Sequence, residues 1–510
     1  MFEGNHHHAL DAIPSSPPIS GVPMDIMLVI FDILRQSCGS DFKINWVSEV
    51  THVCRSWRET ALLASFLWTD IDVEASVSWA VEFARRSRQA PINIVLDTHV
   101  VWSPELYECL KTLLRENRPR IREIRLCDVE DGDPIVSTLS DCAETGSVFF
   151  PILESLKISI DWYGDYEPSL ILTNHILHAP NLKALSLMDC GVEEDFASIH
   201  NISCLSITEN IASKSTTNFL RKALPQMVNL ETLSLQASDE FINIDNDTGF
   251  GIQVATLPKL YNIEIHWPIE HIISILQMIS YGPRRKMQLT ALLADFGQEQ
   301  SLRLFTCFMS HAGNLPRLRL LYNSSKLRVC DLREDVTPAN FCLSIEFPYH
   351  THPQSLVDLA PILLGGLVHR MDHRTLQALS LGVKLSTQSW VKVFGTLPLL
   401  ARIRIINAGE QEFFAALINE IESGDILPVQ QPDHKNATMT LPFQGLRAVR
   451  IVGRIESYLE EEMAFILRCL RVRKERGYKL KKLHFTSVAE EDLKRQLGAL
   501  RRVVGSLEVH

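Results

Sequence analysis

The sequence predicts an α/β protein: a short helical segment near the N-terminus, followed by a long series of strand–helix units. Two observations carry that expectation. Between residues 18 and 73, apolar residues recur at helical spacing. From Ile121 to Phe485 the pattern apolar-x-x-apolar-x-apolar returns again and again, with helix-like stretches between its copies. The chain of 510 residues is 46% apolar and 22% charged, the balance of a folded protein long enough for more than one domain.

Residues 1–17, with His6-His7-His8 and Pro14-Ser15-Ser16-Pro17, read as a flexible leader. Val22-Pro23-Met24-Asp25-Ile26-Met27 then opens an amphipathic helix. Pro23 suits the first turn, where its missing N–H would find no partner, and Asp25 complements the positive helix end. Ile26, Ile30, Ile33 and Leu34 lie on one face, and a polar break from Ser37 to Asp41 ends the helix. A second apolar stripe follows in Val47, Val50, Val53, Cys54, Trp57 and Ala61, and the segment closes on Phe66-Leu67-Trp68-Thr69-Asp70-Ile71.

That order of parts resembles an F-box. The residues that carry the resemblance are Val22 to Met27, Val53-Cys54-Arg55-Ser56-Trp57-Arg58, and Leu67 to Ile71. Val22 stands where Leu is usual in the family and Asp25 where Glu is usual, both mild departures. The insertion around Cys38 to Lys43 is similar to fungal, mushroom-type members. Such a segment implies docking on the Skp subunit of a cullin–RING ubiquitin ligase. The resemblance points to Val22, Pro23, Ile26, Ile30, Val53, Cys54, Trp57 and Trp68 as a combined docking and core set, without separating the two roles.

Residues 74–120 read as a connecting segment: a helix through Trp79, Val81 and Phe83, a basic turn, and a strand over Pro91 to Leu96. From 121 to 510 the repeated pattern takes over. Its copies are Ile121, Ile124, Leu126; Leu153, Leu156, Ile158; Leu182, Leu185, Leu187; Ile202, Leu205, Ile207; Leu230, Leu233, Leu235; and Leu260, Ile263, Ile265. It resumes at Leu376, Leu379, Leu381; Leu400, Ile403, Ile405; Leu446, Val449, Ile451; and Leu480, Leu483, Phe485. Leu327-x-x-Cys330-x-Leu332 reads as a degenerate copy in the ill-defined stretch between. Helical patterns are expected over 218–227, 269–279, 410–421 and 458–472.

A strand followed by a helix, repeated, resembles a leucine-rich-repeat solenoid. Leu182-x-x-Leu185-x-Leu187-x-x-Cys190-x-Val192 is the fullest match, and uneven spacing predicts an irregular array. The pattern leucines are core. Ligand contacts are expected from the alternate positions on the open side of the strands: Ser155, Lys157, Ser186, Thr232, Ser234, Asn262, Glu264, Arg402, Arg404 and Arg450. Their mixed charge specifies no ligand.

Other chemistry was sought and is missing from the sequence. There is no Gly-rich phosphate loop, H-E-x-x-H or G-x-S-x-G motif. Asp245-Asn246-Asp247-Thr248-Gly249 lacks the closing acidic residue of a calcium loop, with Thr256 in its place, and reads as a turn. The 11 cysteines contain no C-x-x-C, so they read as small buried hydrophobes and not as a zinc set, Cys330 and Cys342 being the closest pair. A basic cluster at Arg468, Arg471, Arg473, Lys474, Arg476, Lys479, Lys481 and Lys482 neighbours Glu456 and Glu460 to Glu462, and reads as a solvated helix. Net charge of −11 disfavours nucleic acid, no apolar run is long enough for a membrane span, and no signal-peptide core opens the chain.

The expectation is therefore a cytoplasmic or nuclear substrate adaptor of a Skp–cullin–F-box ligase. It is not itself an enzyme and needs no metal or cofactor. Its partners would be a Skp-type subunit, a cullin through it, and an unidentified protein substrate. The rival is a protein-binding scaffold that works without a ligase.

Overall fold

The computed structural model describes residues 21–38, 45–74, 76–96, 103–130, 150–161, 171–172, 179–192, 199–211, 214–241, 254–281, 286–292, 298–312, 317–323, 326–331, 341–346, 376–382, 384–406, 410–419, 441–452, 460–486 and 490–509. The leader expected over 1–17, most of the insertion around 38–43 and the turn at 245–249 lie outside the described residues. The chain is α/β and divides into two compact units, Met1–Asn201 and Ile202–His510.

The first unit begins with helices α1 (Met24–Ser37), α2 (Asn45–Thr51) and α3 (Arg55–Leu63), then a 3-10 turn over Ser65–Trp68. Strand β1 (Asp70–Asp72), α4 (Val77–Arg86), β2 (Ile92–Leu96), α5 (Pro104–Glu116), β3 (Ile121–Glu130), β4 (Ser155–Asp161), β5 (Ile171–Leu172), β6 (Ala184–Met188) and β7 (Gly191–Val192) follow. Strands β1, β2, β3, β4 and β6 pair in that order, all parallel, and β5 pairs separately with β7.

Residues 74–120 are not a separate connector. They supply β2, which sits between β1 and β3, so the boundaries expected at 73/74 and 120/121 fall inside one sheet. The reason is burial: all five residues of β2 are buried, and such a strand needs a neighbour on both edges to satisfy its backbone. Aromatic packing fastens the N-terminal helices to α4. Trp68 lies 5.2 Å from Trp46 and 4.9 Å from Phe83, ring centre to ring centre, with the Arg86 guanidinium 4.7 Å over its ring.

The second unit comprises β8 (Cys204–Ile211), α6 (Lys214–Ala223), β9 (Thr232–Phe241), β10 (Ala255–Leu257), β11 (Asn262–Pro268), α7 (Ile269–Met278), β12 (Ile279–Tyr281), β13 (Lys286–Leu292), α8 (Gln298–Ala312), β14 (Arg317–Asn323), β15 (Lys326–Asp331) and β16 (Phe341–Glu346). It continues with β17 (Ala378–Gly382), α9 (Thr387–Phe394), β18 (Arg402–Ile406), α10 (Glu410–Ala416), β19 (Ala448–Val452), α11 (Glu460–Glu475), β20 (Lys482–Thr486), α12 (Glu490–Val503) and β21 (Ser506–Val509). The sheet order is β8-β9-β11-β13-β16-β15-β14-β17-β18-β19-β20-β21, and only the pairings of β15 are antiparallel.

Every copy of the sequence pattern enters a strand, and all its apolar positions are buried. Several copies start from a turn with Pro at its second position, where a fixed φ is favourable. Leu153, Leu182 and Leu260 each donate their N–H back to the residue before that Pro, at 3.0–3.3 Å. Just after the first apolar residue, one carbonyl accepts two N–H groups of the next unit. Glu231 O takes Tyr261 N and Asn262 N, and Arg447 O takes Lys481 N and Lys482 N. Each unit thus sets the register of the next.

The Leu327-x-x-Cys330-x-Leu332 reading is corrected. Strand β15 is antiparallel to both neighbours, because two residues join Asn323 to its partner Lys326, too short a link for a parallel crossover. Val329, not Cys330, sits in the apolar row, between Leu343 and Leu320. A shift of one residue exchanges the two faces of a strand. The local strand order is therefore reversed, while β14 already carries the repeat pattern, with Leu318 and Leu320 in register with Leu379 and Leu381 of β17.

Arg473 also departs from expectation. The other members of its basic cluster are exposed, but Arg473 is fully buried on α11. Its guanidinium donates to Pro442 O at 3.0 Å, to Leu417 O at 3.5 Å and to Phe443 O. Burial pushes its pKa down to about 10. Phe443 has a φ of 57°, so the cation braces a strained turn at the start of the β19 unit.

Leu185→Asp in the first unit or Leu233→Asp in the second puts a carboxylate into a fully apolar site. Each should destabilise its unit by about 3–5 kcal/mol, seen as a lowered Tm in thermal unfolding followed by circular dichroism.

Candidate functional site

Helix α1 carries two apolar stripes. Met27 and Phe31, one turn apart, are buried, and Phe31 packs on Trp57 at 5.1 Å between ring centres. Met24, Ile26, Val29, Ile30 and Ile33 are exposed, Ile26 by 49% and Ile33 by 60%. A helix that serves only its own core needs one stripe. The core of the segment therefore uses Met27 and Phe31, and the isoleucine stripe noted in the sequence faces outward.

The end of α1 is tied to the sheet by charge. Arg35 bridges Asp32, at 2.7 Å, and Asp70 on β1, whose carboxylate also accepts from Asn93 Nδ2 at 2.5 Å. The outward stripe is thus presented on a helix held at both its core face and its C-terminal end.

The eight residues expected at the docking segment separate by burial. Pro23, Ile26 and Ile30 are exposed and Val22 is half-buried. Val53 is 54% exposed, in the turn between α2 and α3. Cys54 is exposed and caps α3, its Sγ accepting from Trp57 N at 3.5 Å. Trp57 is half-buried against Phe31. Trp68 is fully buried and donates Nε1–H to Ala61 O at 2.9 Å, so it belongs to the core and not to a contact surface. Leu63 and Phe66 are exposed apolar residues that the sequence pattern did not single out.

The open-side candidates lie where alternation placed them. Ser155, Lys157 and Ser186 are half-buried or exposed in the first unit, and Thr232, Ser234, Asn262, Glu264, Arg402, Arg404 and Arg450 are so in the second. Cys330 and Cys342, twelve residues apart in sequence, are brought together across β15 and β16 with their Sγ atoms 2.9 Å apart. The hydrogen bond from Cys330 holds the Cys342 thiol down at about 6, helped by Arg328 Nε at 3.1 Å, and the same bond and burial push Cys330 up. No third ligand joins them: among the described residues no cluster of His, Cys, Asp and Glu could hold a metal ion. Nor, among those residues, is any helix long and apolar enough to cross a membrane.

A scan against protein-family models gives no match, and neither does a search of the curated proteins.

Trp68→Ala should cost about 3–5 kcal/mol, because it empties the aromatic contact that joins α2 to α4. Chemical denaturation followed by tryptophan fluorescence and by circular dichroism checks it, with both signals expected to shift to lower denaturant.

Proposed function

We propose that the chain is the substrate-recognition adaptor of a Skp–cullin–F-box ubiquitin ligase. In this reading residues 18–73 act as the F-box, and the region from 121 to 510 is an irregular leucine-rich-repeat-like solenoid that holds a protein substrate. The ligase's other subunits would supply the chemistry. The observation that carries the reading is the second apolar stripe of α1. Ile26, Ile30 and Ile33 stay in water while Met27 and Phe31 do the internal packing.

Covering those side chains in a partner's groove would recover about 1.5–3 kcal/mol for each one fully buried. Pro23 at the entry of α1, Val53 and the half-buried Val22 and Trp57 extend the apolar set. Trp68 and Cys54 serve it indirectly, one as core and one as helix cap. The in-register strands offer a long face of alternate side chains for a substrate, outside the apolar row.

The test is Ile26→Glu combined with Ile30→Glu. Both positions are exposed, so the fold should change by no more than about 1 kcal/mol. Association with a purified Skp subunit should be lost in a pull-down, since two carboxylates would have to be desolvated at the contact. A folded double variant that still binds the Skp subunit normally would overturn the assignment.

A further inference from the structure

Register places one polar row across the second unit's sheet, one residue from each strand. In sheet order it reads Ser206, Ser234, Glu264, Gln288, Cys342, Cys330, Arg319, Ser380, Arg404, Arg450, His484 and Glu508. Residues in register on a parallel sheet point to the same side. The flanking row, including Leu381, Ile405, Ile451 and Phe485, is buried apolar core. The polar row changes character along its length: neutral or acidic at the start, cationic from Arg319 to His484.

Among the described residues, Arg319, Arg404 and Arg450 have no carboxylate partner. Arg319 and Arg404 have buried Nε atoms without a hydrogen-bond partner, and neither has an ion pair among the described residues. Between them Ser380 is fully buried, its Oγ also unpartnered. Among the described residues, Arg450 donates to Thr486 Oγ1, at 3.3 Å, and to no carboxylate. Glu508 ends the row and is engaged by Lys482 at 2.6 Å, with His484 at 3.8 Å. Burial and the charges of Arg450 and Arg319 push the pKa of Arg404 down. Arg319 and Arg404 are half-buried and Arg450 is exposed, and like charges set side by side in this way work against folding, a cost that an anion from outside would relieve.

We propose that the row Arg319–Ser380–Arg404–Arg450 binds an acidic peptide segment of a protein partner, through carboxylate or phosphate oxygens set on the three guanidinium groups. Guanidinium is the side chain best matched to both oxyanions. The three strand steps from Arg319 to Arg450 span about 14 Å. Three anionic side chains at alternate positions of an extended peptide cover the same distance, because that chain rises about 3.4 Å per residue. A nucleic-acid strand fits less well. The row has no Phe, Tyr or Trp on which bases could stack, and the chain's net charge of −11 opposes a long polyanion.

The inference rests on the adaptor reading for the origin of the peptide, as part of a substrate, but its test needs no Skp subunit. Fluorescence anisotropy is measured on the full chain with short labelled peptides bearing glutamate, phosphoserine or glutamine at three alternate positions, and with a thymidine oligonucleotide. The glutamate or the phosphoserine peptide should bind, more weakly as salt rises, and the glutamine peptide should not. The tighter of the first two identifies the oxyanion. Arg404→Gln with Arg450→Gln should weaken binding by about tenfold or more, as should Arg319→Gln with Arg404→Gln.

Arg468→Gln with Arg471→Gln removes the same charge from exposed sites on α11 and should change affinity by less than about threefold. Tm values near wild type show that the variants fold. Three results would overturn the proposal: no binding of either anionic peptide, equal loss in the α11 control, or oligonucleotide binding as tight as the peptide's and lost in the same variants. Peptide binding by a wild-type chain that fails to bind a purified Skp subunit would count against the adaptor reading alone.

Discussion

A parallel strand has no hairpin to fix how it lies beside its neighbour, so register must come from elsewhere. Here it comes from the start of each unit, where a carbonyl just after the first buried apolar residue receives two N–H groups from the next strand. Burial enforces the same register, since slipping by one residue would turn Leu233, Ile263 or Val449 out to water and bring polar neighbours in. Core rows and polar rows both follow from this coupling. The fold therefore controls the placing of surface side chains across many strands without any direct contact between distant units.

Two breaks in the pattern are absorbed locally. Strands β14 to β16 reverse the order of addition, yet Val329 and Leu343 stay buried in the row that runs in register from Leu289 to Leu381. The turn before β19 takes a positive φ at Phe443, and the buried Arg473 occupies the carbonyls around it. In both places, polar or irregular backbone is accepted because its hydrogen bonds are completed.

The two surfaces assigned a role share one physical feature: each costs stability and does no internal work. Exposed isoleucines on α1 lose the burial they could have had, and the arginines of the polar row repel one another with no carboxylate paired to them among the described residues. Aromatic packing around Trp68 and the deep apolar rows supply the stability that such surfaces draw on. Buried and exposed apolar residues are thus separated even on a single helix, where Phe31 and Ile30 are sequence neighbours with opposite environments.

What was legible in the sequence was periodic. Ten strands could be read from apolar-x-x-apolar-x-apolar, and their burial follows because period-two alternation has one solution when one face is covered. Helix α1 was legible from its spacing, but which of its stripes would be buried was not. Ile26, Ile30 and Ile33 match helical periodicity as well as Met27 and Phe31 do, and only the position of Trp57 decides between them. Strands β13, β15 and β16 lack the pattern, but β14 carries it as Leu315-x-x-Leu318-x-Leu320, a copy passed over in the sequence that puts Arg319 at the same position as Arg404. Arg402, Arg404 and Arg450 were visible as open-face residues, yet as scattered cations in a mixed set. Their grouping with Ser380 and His484 exists only through register, a long-range property that no local stretch of sequence contains. Local spacing determined the elements; pairing between residues far apart in the chain decided which side chains share a surface.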